Sequence, residues 1–169
     1  MNESVYYNSP LGILQIKNSG SSIAELSFVN RQGSVKLKED EAVFQKPDSP
    51  VIKKCIAQLD QYFSGKLFEF NLSLEQPGTP FQQGVWSELQ KIGYGRTESY
   101  LTLSKRIGNT KAIRAVGTAN GKNNIAIIVP CHRVIGSNGS LVGYGGDLWR
   151  KKWLLEHEAK YANGVQTLF

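Results

Sequence analysis

Apolar positions along this chain follow three spacings, and each predicts a different kind of element. Leu11–Lys17 and Ile23–Val29 read as short strands, with Asn18-Ser19-Gly20 between them as a hairpin connection. Val51, Ile52, Cys55, Ile56, Leu59 and Phe63 recur at helical spacing, which predicts an amphipathic helix over 50–63 with Cys55 buried on its stripe. A second helix begins after Gln76-Pro77-Gly78-Thr79-Pro80. Thr79 suits the N-cap, Pro80 the first helical position, and Gln82 completes a capping box. Phe81, Val85, Leu89 and Ile92 mark its buried face, and Gly93 and Gly95 end it.

Residues 99–120 predict two short helices around a glycine turn, with Leu103 and Ile107 on one face of the first, Gly108-Asn109 as the break, and the second over Lys111–Asn120. That second helix is built of small residues (Ala112, Ala115, Gly117, Thr118, Ala119), while Lys111 and Arg114 add charge and reach. A helix-turn-helix and a plain helical hairpin both satisfy the pattern. The apolar run Ile125-Ala126-Ile127-Ile128 predicts a buried strand leading into Val129-Pro130-Cys131-His132-Arg133. Val134-Ile135 and Leu141-Val142 flank Ser137-Asn138-Gly139 as a second hairpin. The loop Gly143-Tyr144-Gly145-Gly146 lacks the spacing of a phosphate cradle, which argues against nucleotide binding. Asp147 is placed to cap a final helix over Leu148–Ala159.

Charge divides the chain at the same Pro-Gly boundary. Residues 1–76 carry eight Lys/Arg against nine Asp/Glu, and residues 77–169 carry twelve against five, a net of +7 that suits a polyanionic partner. Two domains are expected, 1–76 and 77–169. The N-terminus has neither a basic nor an apolar leader, and no run reaches the ~20 residues that span a bilayer. Two cysteines, Cys55 and Cys131, are too few for a disulfide framework, so a cytoplasmic location is expected.

Cys131 is the candidate for chemistry. It stands at the mouth of the predicted strand with an imidazole and a guanidinium following it, groups that raise the thiolate population. A cysteine hydrolase using Cys131 and His157 is one competing reading, and a non-enzymatic winged-helix DNA binder is another. A metal site on Cys131, His132 and His157 lacks ligand spacing.

Pro130-Cys131-His132-Arg133-Val134, with its flanks from Pro80-Phe81-Gln82-Gln83-Gly84-Val85-Trp86 to Trp153-Leu154-Leu155-Glu156-His157-Glu158, resembles the O6-alkylguanine-DNA alkyltransferases. The resemblance implies an α+β chain: a small N-terminal α/β, ribonuclease H-like domain followed by a winged helix-turn-helix-like domain. It implies irreversible, single-turnover alkyl transfer from O6-alkylguanine in duplex DNA to Cys131. His132 would be the base, acting through a water, with Glu158 orienting it and favouring its charged form. Asn123 would organise the active-site turn, and Tyr100 would assist the leaving guanine. Val134 and the Cys131 backbone would hold the exocyclic amine, with Tyr144 and Gly145 lining the pocket. Arg114, with Lys111 and Thr118 on the same helix, would engage the minor groove and replace the flipped nucleotide. No cofactor or metal is implied, and the protein would act as a monomer away from membranes. Two positions depart from the family pattern: Asn124, where proline is frequent, and Asp147, where glycine is frequent.

Overall fold

A computed structural model describes residues 2–32, 36–38, 43–142 and 144–163. They form two compact units. One comprises residues 1–76 together with 124–126, and the other residues 77–123 and 127–169.

In the first unit, β1 (Ser4–Ser9), β2 (Gly12–Ser19) and β3 (Ser22–Phe28) make an antiparallel meander with Ser4 opposite Lys17 and Ser9 opposite Gly12. The expected hairpin joins β2 to β3. The strand β1 is additional, and its period-2 signal is carried by only two buried residues, Val5 and Tyr7. Helix α1 (Pro50–Phe63) starts where Pro50 presets the first turn and the Ser49 hydroxyl accepts from the Ile52 amide. Ile52, Cys55, Leu59 and Tyr62 form its buried face. The free edge of β3 is covered by two short parallel bridges, Ile23 with Leu74 and Leu26 with Ile125.

The second unit begins with α2 (Pro80–Leu89). The capping box is complete: the Gln82 amide donates to Thr79 Oγ1 at 3.1 Å and the Thr79 amide to Gln82 Oε1 at 3.0 Å. Val85, Leu89 and Ile92 are buried as the spacing predicts, but Phe81 is 37% exposed and the helix stops at Leu89, before Gly93. Trp86 takes the buried place that Phe81 does not, and its indole N–H donates 2.9 Å to the Ala119 carbonyl. Next come β4 (Glu98–Ser99), α3 (Tyr100–Ile107) and α4 (Ile113–Gly121), the last entered through a 3₁₀ turn at Thr110–Ala112. Gly108 closes α3 in the left-handed conformation, φ 89°, that favours glycine. Val116, Ala119 and Asn120 pack inward from α4, so Arg114 and Thr118, with Lys111 just before, face outward.

Three local expectations fail here. Residues 126–128 form a turn, not a strand, because the buried Ile127 takes φ 69°, outside extended geometry. Ser137-Asn138 does make a turn, closed by the Gly136 amide on the Ser140 carbonyl at 2.9 Å, but Leu141-Val142 adds no strand. Strand β5 (Val134–Ile135) pairs instead in parallel with β4. The final helix α5 (Leu148–Ala162) runs three residues beyond the expected end. Asp147 precedes it without capping it, since its carboxylate turns to Arg150 Nη1 at 3.3 Å. Among the described residues no helix is long and apolar enough to cross a membrane.

Candidate active site

Cys131 opens a 3₁₀ turn, Cys131–Arg133, immediately after Pro130. With φ −81° and ψ 64°, Pro130 is the centre of an inverse γ-turn, and the Cys131 amide accordingly donates to the Val129 carbonyl at 2.8 Å. This fold-back points the next three residues into the second unit, where Cys131, His132 and Arg133 are all buried. The Asn123 amide bonds the Val129 carbonyl at 2.9 Å, bracing the same turn from its far side. Asn120, from α4, donates to the Cys131 carbonyl at 3.3 Å.

His132 and Glu158 meet as the resemblance implies. Nε2 of the imidazole lies 2.7 Å from Glu158 Oε2, and both side chains are fully buried. A carboxylate can only accept, so Nε2 carries the proton and Nδ1 keeps its lone pair. That Nδ1 is buried with no protein partner, which leaves it available as a base.

Arg133 departs from expectation. Its guanidinium is turned from the thiol and clamps Glu158, Nε to Oε1 at 2.8 Å and Nη2 to Oε2 at 3.1 Å, while Nη1 donates 2.6 Å to the Ile92 carbonyl. The bidentate fork neutralises the carboxylate. Burial alone would raise the Glu158 pKa, but His132 and Arg133 outweigh it and hold the group well below the ordinary carboxylate range. For His132 the balance runs the other way. Burial lowers its pKa, and the opposing pull of Glu158 does not overcome this, so the imidazole is neutral at neutral pH and not a cation.

The thiol is also pushed up by burial and pulled back by the Asn123 amide and the charge of Lys151. Lys151 was invisible in the sequence pattern, because a lysine is ordinarily read as solvated. Its helix offered the available signal: the buried face of α5 is Arg150, Lys151, Leu154, His157 and Glu158, a helical stripe with charges where apolar residues normally stand.

The Tyr100 hydroxyl donates to the Val142 carbonyl at 3.3 Å, and burial first, then the negative charge of a Cys131 thiolate, raise the pKa of both Tyr100 and Tyr144. Val134 is buried on β5, and Gly145 is exposed in the following loop; Gly143 lies outside the described residues. Lys111, Arg114 and Thr118 form a separate exposed stripe. His157 stacks on Trp153 at 4.7 Å and meets Tyr161 edge-on at 4.9 Å, a packing role that gives the hydrolase reading no support.

Asn124 donates its backbone N–H to Gln76 Oε1, a bond that proline could not make. Asp147 sits at φ 76° and ψ 144°, a conformation otherwise almost confined to glycine.

A buried cysteine followed by a buried, neutral histidine that is paired with a carboxylate has the chemistry of a nucleophile beside a base, and it stands in the unit that carries two short helices around a glycine turn. The comparisons agree. Residues 80–160 match the family model described as 6-O-methylguanine DNA methyltransferase, DNA binding domain, and residues 4–76 match its ribonuclease-like domain. The methylated-DNA–protein-cysteine methyltransferase of Mycobacterium leprae is 44% identical over 162 residues, 96% of this chain and 95% of the relative. The crystal structure of Mycobacterium tuberculosis O6-methylguanine methyltransferase superposes with TM-score 0.80 at 43% identity, covering 94% of this chain and 93% of the other. Mycobacterium tuberculosis OGT in complex with DNA gives TM-score 0.79 at 44% identity, covering 91% of each chain. This chain belongs to the methylated-DNA–protein-cysteine methyltransferases, a family of DNA-repair proteins.

Proposed function

We propose that Cys131 takes the alkyl group from O6-alkylguanine in duplex DNA in one irreversible displacement. His132 Nδ1 removes the thiol proton through one water, the sulfur attacks the O6-alkyl carbon, the C–O6 bond breaks as the C–S bond forms, and the proton returns to the leaving guanine. Glu158 fixes the imidazole tautomer and Asn123 holds the turn that presents the sulfur. Tyr100 assists the leaving base, the carbonyls of Val134 and Cys131 hold its exocyclic amine, and Tyr144 and Gly145 line the pocket.

An O6 atom stacked in a duplex cannot reach a buried sulfur, so the base is flipped out. Arg114 fills the vacated stack while Lys111 and Thr118 hold the backbone, with the small-residue helix α4 in the minor groove. Residues 77–169 then carry both DNA binding and alkyl acceptance, and the protein works as a monomer. Two free thiols suit a reducing compartment, the cytoplasm.

The observation that carries this reading is the buried His132–Glu158 pair, which leaves Nδ1 of the residue following Cys131 without a hydrogen-bond partner. A thioether offers no acyl carbon to water, so transfer stops at one event. Titration against an O6-methylguanine duplex should break at about one equivalent, with one methylene of added mass on the Cys131 peptide. Repair of many equivalents per protein would overturn the proposal.

A further inference from the structure

Asn120 lies on the inner face of α4, 1% exposed, in a helix whose outer face carries Arg114 and Thr118. Its Nδ2 donates to the Cys131 carbonyl at 3.3 Å. A carbonyl can only accept, so this contact fixes which end of the amide is nitrogen and leaves Oδ1 at the other. That Oδ1 is buried and has no hydrogen-bond partner among the described residues. A buried acceptor left open costs stability, and an apolar side chain of the same branching would fill the place without that cost. Asparagine here is better explained by what its amide holds than by what it adds to the core.

What it holds is the backbone of the nucleophile. The Tyr100 ring is close by: it lies 3.9 Å from where a Cβ on Gly117, one turn earlier on α4, would stand, and its hydroxyl donates to the Val142 carbonyl at 3.3 Å. Burial and a Cys131 thiolate raise the Tyr100 pKa, and a hydrogen bond from the Asn120 amide opposes them. An amide nitrogen carries two hydrogens, enough for the Cys131 carbonyl and the phenol oxygen together.

We propose that Asn120 is a positioning residue for substrate choice: its N–H fixes the plane of the Cys131 carbonyl so that the second lone pair of that oxygen meets the 2-amino group of the flipped base. The inference deepens the proposed function and rests on it. A carbonyl oxygen has two lone pairs, and with one held by Asn120 the peptide no longer swings. A purine without a 2-amino group gives the other lone pair no donor, and a site built around a hydrogen bond rejects the analogue that lacks it. Helix α4 then works on both of its faces, with Arg114 outward on the duplex and Asn120 inward on the residue that takes the alkyl group.

The test uses the full chain and two duplexes that differ only in that amine, one carrying O6-methylguanine and the other O6-methylhypoxanthine. Protein is saturating, so the single-turnover rate is read apart from binding. Wild type should repair the guanine duplex faster. Asn120→Leu should slow the guanine duplex about fivefold, the worth of one hydrogen bond, and change the hypoxanthine duplex by less than about twofold. Duplex affinity, melting temperature and the rate with iodoacetamide, a probe of the thiol alone, should stay at wild-type values. Should Asn120→Leu not fold, Asn120→Ala removes the same donor without adding bulk and is read in the same way.

Equal losses on both duplexes, or none on either, would make Asn120 a packing residue and overturn the proposal. A wild type that repairs both duplexes at one rate would also overturn it, while leaving alkyl transfer to Cys131 standing. A wild type that reacts with iodoacetamide yet takes methyl from neither duplex would refute the alkylguanine reading itself, and this proposal with it.

Discussion

Replacing Glu158 by glutamine keeps the shape of the side chain and removes its charge from the centre of a buried network. Four N–H donors converge on the carboxylate: His132 Nε2 at 2.7 Å, Arg133 Nε and Nη2 at 2.8 and 3.1 Å, and the Gly95 backbone amide at 3.4 Å. A glutamine amide offers one acceptor oxygen in place of two, and its NH₂ group opposes another donor. The guanidinium of Arg133 is left as an uncompensated buried cation, a loss of about 3–5 kcal/mol. At roughly 2–4 °C per kcal/mol for a chain of this size, the melting temperature should fall by about 6–20 °C.

Reactivity should fall for a separate reason. A carboxylate behind Nε2 raises the basicity of Nδ1, and a neutral amide does so far less. At pH 7 the rate of inactivation by O6-benzylguanine should drop on the order of tenfold to a hundredfold, within the range of general-base catalysis, and should recover at high pH where the thiol ionises unaided. The acid limb of stability supplies a third readout. The Glu158 pKa is depressed in the fold, so its contribution is complete above the unfolded carboxylate value and is lost as pH falls through the folded value. The Glu158→Gln variant should therefore show a shallower loss of stability below about pH 4. Adding Arg133→Met to Glu158→Gln should restore much of the stability without restoring the rate. Superimposable pH–rate profiles for wild type and Glu158→Gln would remove Glu158 from the chemistry and leave it a purely structural residue.

Cys131→Ala should abolish alkyl transfer and leave duplex affinity in a gel-shift assay nearly unchanged; transfer that persisted on Cys55 would refute the assignment. Arg114→Ala should impair repair of a duplex substrate far more than reaction with free O6-benzylguanine, since unstacking a base costs a few kcal/mol only in the duplex. Equal losses on both would make Arg114 structural. Gly95→Ala should destabilise by on the order of 3 kcal/mol in urea melts, because φ is 76° and the new methyl would lie 2.5 Å from the Ala162 side chain. Duplex affinity should fall steeply with salt, as the +7 half releases condensed cations from phosphates.

The sequence was most legible where structure is set locally. The extent of α1, read from apolar spacing along one helix face, and the reciprocal cap of α2 depend on neighbours three or four residues apart. The break at Gly108 was equally visible, because φ 89° is a property of one residue. Elements that tertiary packing decides were misread. An apolar run such as Ile125–Ile128 has the same pattern in a buried strand and in a buried turn, and only its surroundings force Ile127 to φ 69°. Asn138-Gly139 makes its turn, but the partner of Val134-Ile135 came from Glu98-Ser99, far along the chain. At the site, residue types were legible and their pairings were not. Arg133 was expected to act on the thiol and acts on Glu158, while Lys151 went unnoticed on a helix face whose burial depends on the rest of the unit.

The three residues 124–126 belong to the first unit although the sequence on either side of them belongs to the second. Leu26 donates to the Asn124 carbonyl and accepts from the Ala126 amide, both at 2.9 Å, so the outer edge of β3 is completed by a piece of chain made about fifty residues after Gln76. During translation at ~5–20 residues per second, the stretch of that edge around Leu26 stays bare for roughly 3–10 s after the rest of the first unit has been made, while residues 73–75 already cover Ile23. An unpaired strand edge invites pairing with other chains. Cutting the polypeptide between residues 76 and 77 would therefore leave the first fragment short of three residues that it needs, and the break would expose an adhesive edge in place of a clean domain.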